Sequence, residues 1–321
     1  QWGNAISLAA LFVALGGPLL GAIADQNGRR KPWIASFTLL CIGATALLWF
    51  IKPAPGYVWP ALLLVALGTV GFEFASIFYN AMLPSLAPPE AVGRWSGWGW
   101  SLGYIGGLVC LILALVALVR PETAWFSLDS DAAENVRATF LLVAGWFLIF
   151  ALPLLLFTPD QRRARLPAAE AVRRGCRQLL NSLRHVRQYG HIIRFLIARM
   201  IYIDGLATIF AFGGVYAAGT FDMNEQQVLL FGIGLNITAG LGAAVFALLD
   251  DRVGGKTTIL VALLGLIFSG TLILLVTTPK LFWTFGLLLG LFVGPAQASS
   301  RSYLARVAPE NLENEMFGLF A

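Results

Sequence analysis

The sequence predicts an all-α protein that crosses a membrane several times. Hydrophobic residues make up 58% of its 321 residues, and 34 glycines add further apolar backbone. Charged residues reach only 12%, against about 25% in a typical soluble domain. Because a water-soluble domain cannot bury so much apolar surface, the composition excludes soluble enzymes, nucleic-acid binders and disordered chains.

Long apolar runs locate the membrane-spanning helices. A helix needs about 20 apolar residues to cross a hydrocarbon core roughly 30 Å thick, whereas the strands of a membrane barrel alternate over about 10 residues. A tenth helix begins near Met316. The nine long runs have the approximate limits 3–24, 33–51, 58–83, 95–119, 138–157, 192–218, 227–249, 257–277 and 281–304.

Basic residues segregate to alternate loops, as expected when lysine and arginine stay on the cytoplasmic side. One set of loops holds 17 of the 22 basic residues, among them Arg29, Arg94 and Arg306. The opposite set holds four basic residues and an acidic run between Glu122 and Glu134. The sequence pI near 9.3 therefore indicates membrane topology and not nucleic-acid binding.

An internal repeat divides the chain into two homologous halves. Asp25-Gln-Asn-Gly28, followed by three cations, closes one span, and Asp251-Arg-Val-Gly254, followed by Lys256, closes another. We expect an N-terminal helical bundle over 1–157, a cytoplasmic amphipathic basic linker over 158–191 and a C-terminal helical bundle over 192–321. Two spans precede the second loop but one precedes the first, so we expect two six-helix bundles that here lack the first helix and the last two.

The first loop resembles the signature loop of the major facilitator superfamily, Gly-x-x-x-Asp-x-x-Gly-Arg-(Arg/Lys). The second loop is degenerate, with Ala247 for the leading Gly and Gly255 for the first Arg. The resemblance covers essentially the whole chain and implies the major facilitator fold with alternating-access transport. Further segments resemble the vacuole-effluxer-like (autophagy-related permease-like) branch, which includes amino-acid effluxers of fungal vacuoles; these are Phe78-Tyr-Asn-Ala-Met-Leu-Pro84, 94–104 and 198–216.

Polar residues inside the predicted spans are candidates for binding substrate or protons. A charge at the bilayer centre costs at least about 2.5–3.5 kcal/mol, so such residues are retained for a reason. Glu73 shares one helix face with Ser76 and Asn80, because these positions are three and seven residues apart. The full candidate set is Glu73, Asn80, Asp204, Asn236, Gln297 and Arg301.

Each candidate also has a structural interpretation. Glu73 and Asp204 could be buried carboxylates that pair with a basic residue or a tyrosine. Asn236 lies on a face of small residues suited to helix packing. Arg301 could be solvated at a helix end, and Arg199 is expected to reach the cytoplasmic interface as a structural residue.

The Asp-x-x-Gly loops are predicted to gate the cytoplasmic side. An Asp at a helix end can accept N–H bonds from the N-terminus of a neighbouring helix, where the dipole favours an anion. By resemblance, Asp25 latches one side and Asp251 meets the helix that begins near Arg94. The predicted gating residues are Asp25, Gly28, Arg29, Arg30, Arg94, Asp251 and Gly254.

Glycine spacing predicts where helices approach closely. Gly99, Gly103 and Gly107 form two consecutive small-xxx-small steps on one span, and Gly17 and Gly21 form another. We expect helices of opposite halves to slide along these faces.

The linker carries apolar residues at helical spacing between arginines, which predicts a surface helix on anionic lipid. The cysteines show no metal or redox spacing, and both histidines, His185 and His191, lie near this basic segment. We expect no cofactor, no metal, no catalytic residue and no enzymatic activity. The expected partners are a small-molecule substrate, protons and membrane lipids, and we expect a monomer.

Two functional hypotheses follow. The first is a secondary transporter of a small polar solute, with amino acids suggested by the family resemblance and proton coupling through Glu73 or Asp204. The second is a transporter-derived membrane scaffold or sensor that recruits a partner through the basic linker. Short loops favour a bacterial inner membrane over a vacuolar membrane.

Overall fold

The structure is a computed structural model that describes residues 2–119, 128–129, 132–160, 166–184 and 186–321. These residues are almost entirely helical and contain no strand, as the sequence predicts. Several residues of the predicted acidic run and basic linker lie outside the described residues, namely Arg120, Glu122, Asp131, Arg162, Arg163, Arg165 and His185.

Twelve α-helices form the described part of the chain. Nine helical stretches in it are long and apolar enough to cross a membrane, and the nine predicted spans are confirmed. The helices are α1 (Trp2–Asn27), α2 (Lys31–Leu47), α3 (Val58–Ala81), α4 (Leu83–Leu86), α5 (Val92–Ala114), α6 (Glu134–Phe157), α7 (Ala168–Arg184), α8 (Gly190–Phe221), α9 (Glu225–Val253), α10 (Gly255–Leu275), α11 (Pro279–Val307) and α12 (Glu313–Phe320).

The two Asp-x-x-Gly loops end their helices in the same way. Gly28 follows α1 with φ of 64°, and Gly254 separates α9 from α10 with φ of 86°. Glycine enters this left-handed region without the steric penalty that a Cβ brings. Each loop can therefore turn within a few residues and still leave its Asp on the last helical turn.

Contacts group the helices into two compact units. Unit 1 comprises the chain up to Met82, Val109–Val186 and Ala308–Ala321, and unit 2 comprises Leu83–Leu108 and Arg187–Val307. Most of α5 therefore packs with helices of the second half, and α12 packs with helices of the first half. The sequence-based division at 157 and 192 separates the two repeated halves of the chain and stays a prediction. The contact units group helices by packing and do not follow the order of the chain.

Unit 1 is packed around aromatic rings of α2 and α3. Phe37 and Phe74 have ring centroids 4.9 Å apart, and Trp33 stacks on Phe78 at 5.4 Å. In the same unit α1 lies against α12 with almost no space between the backbones. A Cβ on Gly21 would lie 2.6 Å from the carbonyl carbon of Asn314, so the expected close approach at this glycine is present.

Unit 2 has a core of small and aliphatic residues between α9, α10 and α11. Ala262 and Ala296 are fully buried there beside Val293. A second cluster joins the rings of Phe231 and Phe282, whose centroids are 4.8 Å apart. These two clusters line the walls of the cavity described below.

The close contact of α5 is made by glycines other than those expected from the sequence. A Cβ on Gly103 or Gly107 would meet no atom of the described residues within 4 Å, so in that part of the chain these two residues do not mediate the predicted packing. A Cβ on Gly97 would lie 3.2 Å from the Cα of Ala247, and one on Gly93 would lie 2.6 Å from the Oδ1 atom of Asp251. The helix therefore packs through its first turns against α9.

Candidate functional site: two helix-terminus latches and an apolar cavity

Asp25 joins α1 to α12 in a buried contact of unit 1. Its Oδ1 atom accepts hydrogen bonds from the backbone N–H of Asn314 at 3.1 Å and from Asn314 Nδ2 at 2.6 Å. Its Oδ2 atom accepts from the backbone N–H of Glu315 at 3.0 Å. The first N–H groups of a helix have no partner within the helix, so the carboxylate satisfies them and faces the positive end of the helix dipole.

Arg30 reinforces the same contact. Its Nε donates to Asn314 Oδ1 at 3.2 Å, and its guanidinium lies 3.4 Å from the Glu313 carboxylate. Arg30 is buried, whereas Arg29 is half-buried and lines a separate cavity of about 420 Å³ with Lys31. Of the two predicted gating arginines in the first loop, Arg30 thus contacts α12.

Asp251 makes the corresponding contact in unit 2, at the N-terminus of α5. It accepts from the backbone N–H groups of Gly93 at 2.8 Å and Arg94 at 3.2 Å. The Nε of Arg94 also donates to it at 2.8 Å, and Arg306 donates to its other oxygen at 3.0 Å. The two repeated aspartates therefore perform the same local task in their respective units.

Asp250 was not among the predicted site residues, yet it is more deeply buried than Asp251. It accepts from the Ser302 hydroxyl at 2.6 Å and forms an ion pair with Arg306. Because Arg306 also pairs with Asp251, one arginine of α11 holds both carboxylates. The doubled Asp in the sequence was the available signal, although only tertiary contact gives it a partner.

Arg301 is buried in unit 2 between α11 and α5. Its Nε donates to the Ser96 hydroxyl at 2.9 Å, and one terminal nitrogen donates to the Ser96 carbonyl at 2.8 Å. The Ser96 hydroxyl donates in turn to the carbonyl of Ala298 at 2.6 Å. Arg301 is therefore not solvated at a helix end, and these bonds tie α5 to α11.

A cavity of about 580 Å³ lies within unit 2, between α8, α9, α10 and α11. Aromatic rings of Tyr216, Phe231 and Phe282 line it together with aliphatic side chains, and the described residues that line it carry no charge. Asn236 contributes the amide group, and its Nδ2 donates to the Gly232 carbonyl at 2.9 Å. The amide oxygen of Asn236 is a hydrogen-bond acceptor.

Gln297 lies one hydrogen bond away from this cavity. Its Oε1 atom accepts from the hydroxyl of Tyr104 at 3.0 Å, and the Tyr104 ring lines the cavity. Of the six predicted binding residues, the cavity thus includes Asn236 directly and Gln297 through Tyr104. Tyr104 and the phenylalanines were not predicted, because aromatic residues in an apolar span give no signal that separates lipid contact from ligand contact.

The two predicted carboxylates lie elsewhere. Glu73 is half-buried on α3 in unit 1, as is Asn80 seven residues later. Asp204 is exposed on α8 in unit 2, and its backbone carbonyl accepts from the Thr208 hydroxyl at 2.9 Å. Neither carboxylate lines the 580 Å³ cavity.

Comparison with known proteins agrees with this architecture. The MFS-type transporter YxiO of Bacillus subtilis is 28% identical over 319 residues, which cover 99% of this chain and 73% of YxiO. Autophagy-related protein 22 of Kluyveromyces lactis is 25% identical over 315 residues, and this chain spans 61% of its length. The proton:xylose symporter XylE has a similar fold, with a TM-score of 0.70 at 16% identity over 99% of this chain and 74% of XylE.

The fold is that of the major facilitator superfamily, and these relatives support a multi-pass membrane transporter. Residues 4–93 and 90–321 match the family described as vacuole effluxer Atg22 like. The chain belongs to that family.

Proposed function

We propose that this protein moves a small polar solute by alternating access, with amino acids as the first class to test. The observation that carries the proposal is the pair of Asp contacts, one in each unit, formed by the two repeated loops. Each joins helices from opposite sequence halves, so a movement of one half against the other has to break both. Hydrogen bonds and helix-dipole contacts of about 1–3 kcal/mol each are strong enough to hold such a state and weak enough to release it.

The cavity of unit 2 supports a more specific substrate class. Charged groups are disfavoured in a cavity whose lining carries no charge, whereas aromatic rings and aliphatic side chains fit there. We assign the cavity to the apolar or aromatic side chain of an amino acid, or to an uncharged solute of similar size. Asn236 would accept one hydrogen bond from the bound molecule.

Proton coupling is assigned to Glu73 or Asp204, since both carboxylates lie on membrane-spanning helices. A carboxylate that carries a proton must be neutral in one step and charged in another, and a glutamine or asparagine in its place cannot change charge. We further propose a monomer in a bacterial inner membrane. YxiO is bacterial, whereas the autophagy-related relatives are fungal.

The test is uptake of labelled phenylalanine and leucine into proteoliposomes with an imposed pH gradient and without ATP. Gly232→Val places a side chain in the cavity beside Asn236. Its clash with a bound solute, about 1–3 kcal/mol by analogy with overpacking, lowers affinity roughly 5- to 150-fold. Gly43→Val, on α2 and away from the cavity, is the matched control, because a Cβ at either glycine meets no atom of the described residues within 4 Å. Equal uptake by both variants would remove the cavity from the mechanism.

Glu73→Gln and Asp204→Asn test the coupling. We expect one of them to lose the response to the pH gradient while it retains solute exchange at equal pH. Asp222→Asn, at an exposed position after α8, is the control. Full pH-driven uptake in both carboxamide variants would exclude proton coupling through these residues, and failure of wild-type protein to move any tested solute would contradict the transport proposal.

A further inference from the structure

The linker helix α7 presents three different faces, because residues three and four apart align on a helix. Ala171, Gly175 and Gln178 form the face that packs against α1 in unit 1. Ala171 is buried, and a Cβ on Gly175 would lie 2.8 Å from the Cα of Ile23. The helix is therefore held tightly against the end of α1 that carries Asp25.

Gln178 connects this face to the latch. Its Nε2 donates to Glu315 Oε2 at 2.7 Å, and its Oε1 accepts from the side chain of Gln26. Glu315 is fully buried, and its other oxygen has no hydrogen-bond partner among the described residues. The buried carboxylate thus depends on Gln178, while the backbone N–H of the same residue donates to Asp25. Docking of α7 and closure of the latch are physically linked at Glu315.

The second face of α7 is apolar and uncovered. Val172 is 46% exposed and Leu180 is 55% exposed, with Cys176 and Leu179 half-buried between them. The third face carries Arg173, Arg177 and Arg184, all exposed. An apolar stripe beside an arginine stripe, on a helix packed against the ends of membrane spans, matches the boundary between acyl chains and anionic headgroups.

We propose that α7 is an anionic-lipid-dependent clamp on the Asp25 latch. Phosphate-bearing lipid headgroups bind the arginine face, the apolar face enters the acyl region, and both hold α7 against α1. Because Gln178 on α7 donates a hydrogen bond to Glu315 on α12, anionic lipid that holds α7 in place also stabilises the contact between α1 and α12. The inference goes beyond transport itself, and neither of its two readouts depends on a solute being moved.

The chain offers a natural reporter for the first readout. Cys41 and Cys110 are buried, whereas Cys176 is half-buried on α7. Labelling with a polar maleimide in nanodiscs should be at least about tenfold slower with phosphatidylglycerol than with phosphatidylcholine alone, because each basic residue near an anionic surface strengthens binding roughly fivefold. Cys176→Ser identifies the labelled site.

The second readout is amide hydrogen exchange in residues 312–320, which include the two N–H groups that donate to Asp25. Phosphatidylglycerol should slow this exchange in the wild-type protein. Gln178→Leu should keep the lipid protection of Cys176 but lose the lipid effect on exchange. Gln226→Leu, at an exposed glutamine of α9, is the matched control and should behave as wild type.

Charge dependence is tested by Arg173→Gln, Arg177→Gln and Arg184→Gln together, with Arg177→Gln alone as a milder variant. The control neutralises three exposed cations elsewhere on the same predicted side, Arg194, Arg252 and Lys256. We expect the α7 variants to lose the phosphatidylglycerol effect in proportion to the charge removed and the control to retain it. The proposal is overturned if phosphatidylglycerol changes neither readout, if the control and α7 variants respond alike, or if only a protein partner or free phosphate protects Cys176.

Discussion

Replacement of Asp251 by asparagine tests whether the helix-terminus contacts hold the fold as the geometry implies. Asparagine keeps the shape but replaces one acceptor oxygen by an amide nitrogen. Either the two Arg94 donors or the pair from Gly93 and Arg306 then lose their acceptor. An unsatisfied buried N–H costs about 1–3 kcal/mol, and loss of an anion at a helix N-terminus adds about 0.3–1 kcal/mol.

The ion pairs of Asp251 with Arg94 and Arg306 contribute less to the free energy of unfolding than their short distances suggest. Arg94 is 42% exposed and Arg306 26% exposed, so water screens them and each contributes about 0.5 kcal/mol. The three contributions together are about 2–5 kcal/mol, which corresponds to a Tm lower by roughly 5–10 °C. The Tm shift is measured by thermal unfolding of the purified protein in detergent, with light scattering as the signal.

Asp222→Asn is the control for this measurement. Asp222 is exposed and has φ of 52°, a conformation that asparagine tolerates as well as aspartate does. We expect a change within about 0.5 kcal/mol. If Asp251→Asn unfolds at the same temperature as Asp222→Asn, the carboxylate does not stabilise the contact between α9 and α5, and Asp251 is not a latch in unit 2.

Three further changes have defined outcomes in the same unfolding assay. Gly21→Ala should destabilise by about 1–3 kcal/mol, because its Cβ overlaps the backbone of α12, whereas Gly43→Ala should stabilise by up to about 1 kcal/mol through its helix propensity. Arg301→Lys should cost about 2–4 kcal/mol because the single lysine nitrogen does not reproduce the two separated donors of the guanidinium; a Tm no lower than that of the wild-type protein would contradict the assigned role. Gly254→Ala should cost about 1–3 kcal/mol for its positive φ, and an unchanged Tm would show that the loop relaxes.

The locations of the helices could be predicted from the sequence because the thickness of the bilayer sets the length of the apolar run that each span needs. Each of the nine described spans contains a run of residues too apolar to lie in water, so its position depends on local composition alone. The Asp-x-x-Gly loops could also be predicted, since Gly28 and Gly254 end their helices in a positive-φ conformation that glycine adopts without strain. These features need no information about neighbouring helices.

Contacts between helices could not be predicted in the same way. Gly103 and Gly107 have the spacing of a packing motif, yet a Cβ on either meets open space, whereas Gly93 and Gly97 on the same helix lie against α9. Spacing identifies which residues share a face but not which face meets a partner. For the same reason the sequence left Arg301 as a candidate for contact with substrate or solvent, whereas in the structure its guanidinium donates to Ser96.

The sequence by itself determined that this protein lies in a lipid bilayer, how many described spans it has, its internal repeat and its signature loops. These follow from short-range properties: apolar length, charge segregation and glycine conformation. Only the tertiary structure decided that α5 and α12 change partners between the halves, that Asp250 and Asp251 share Arg306, and that an uncharged cavity lies beside Asn236. Those features depend on residues more than fifty positions apart, whose proximity is set by packing of complementary helix faces and not by any local pattern.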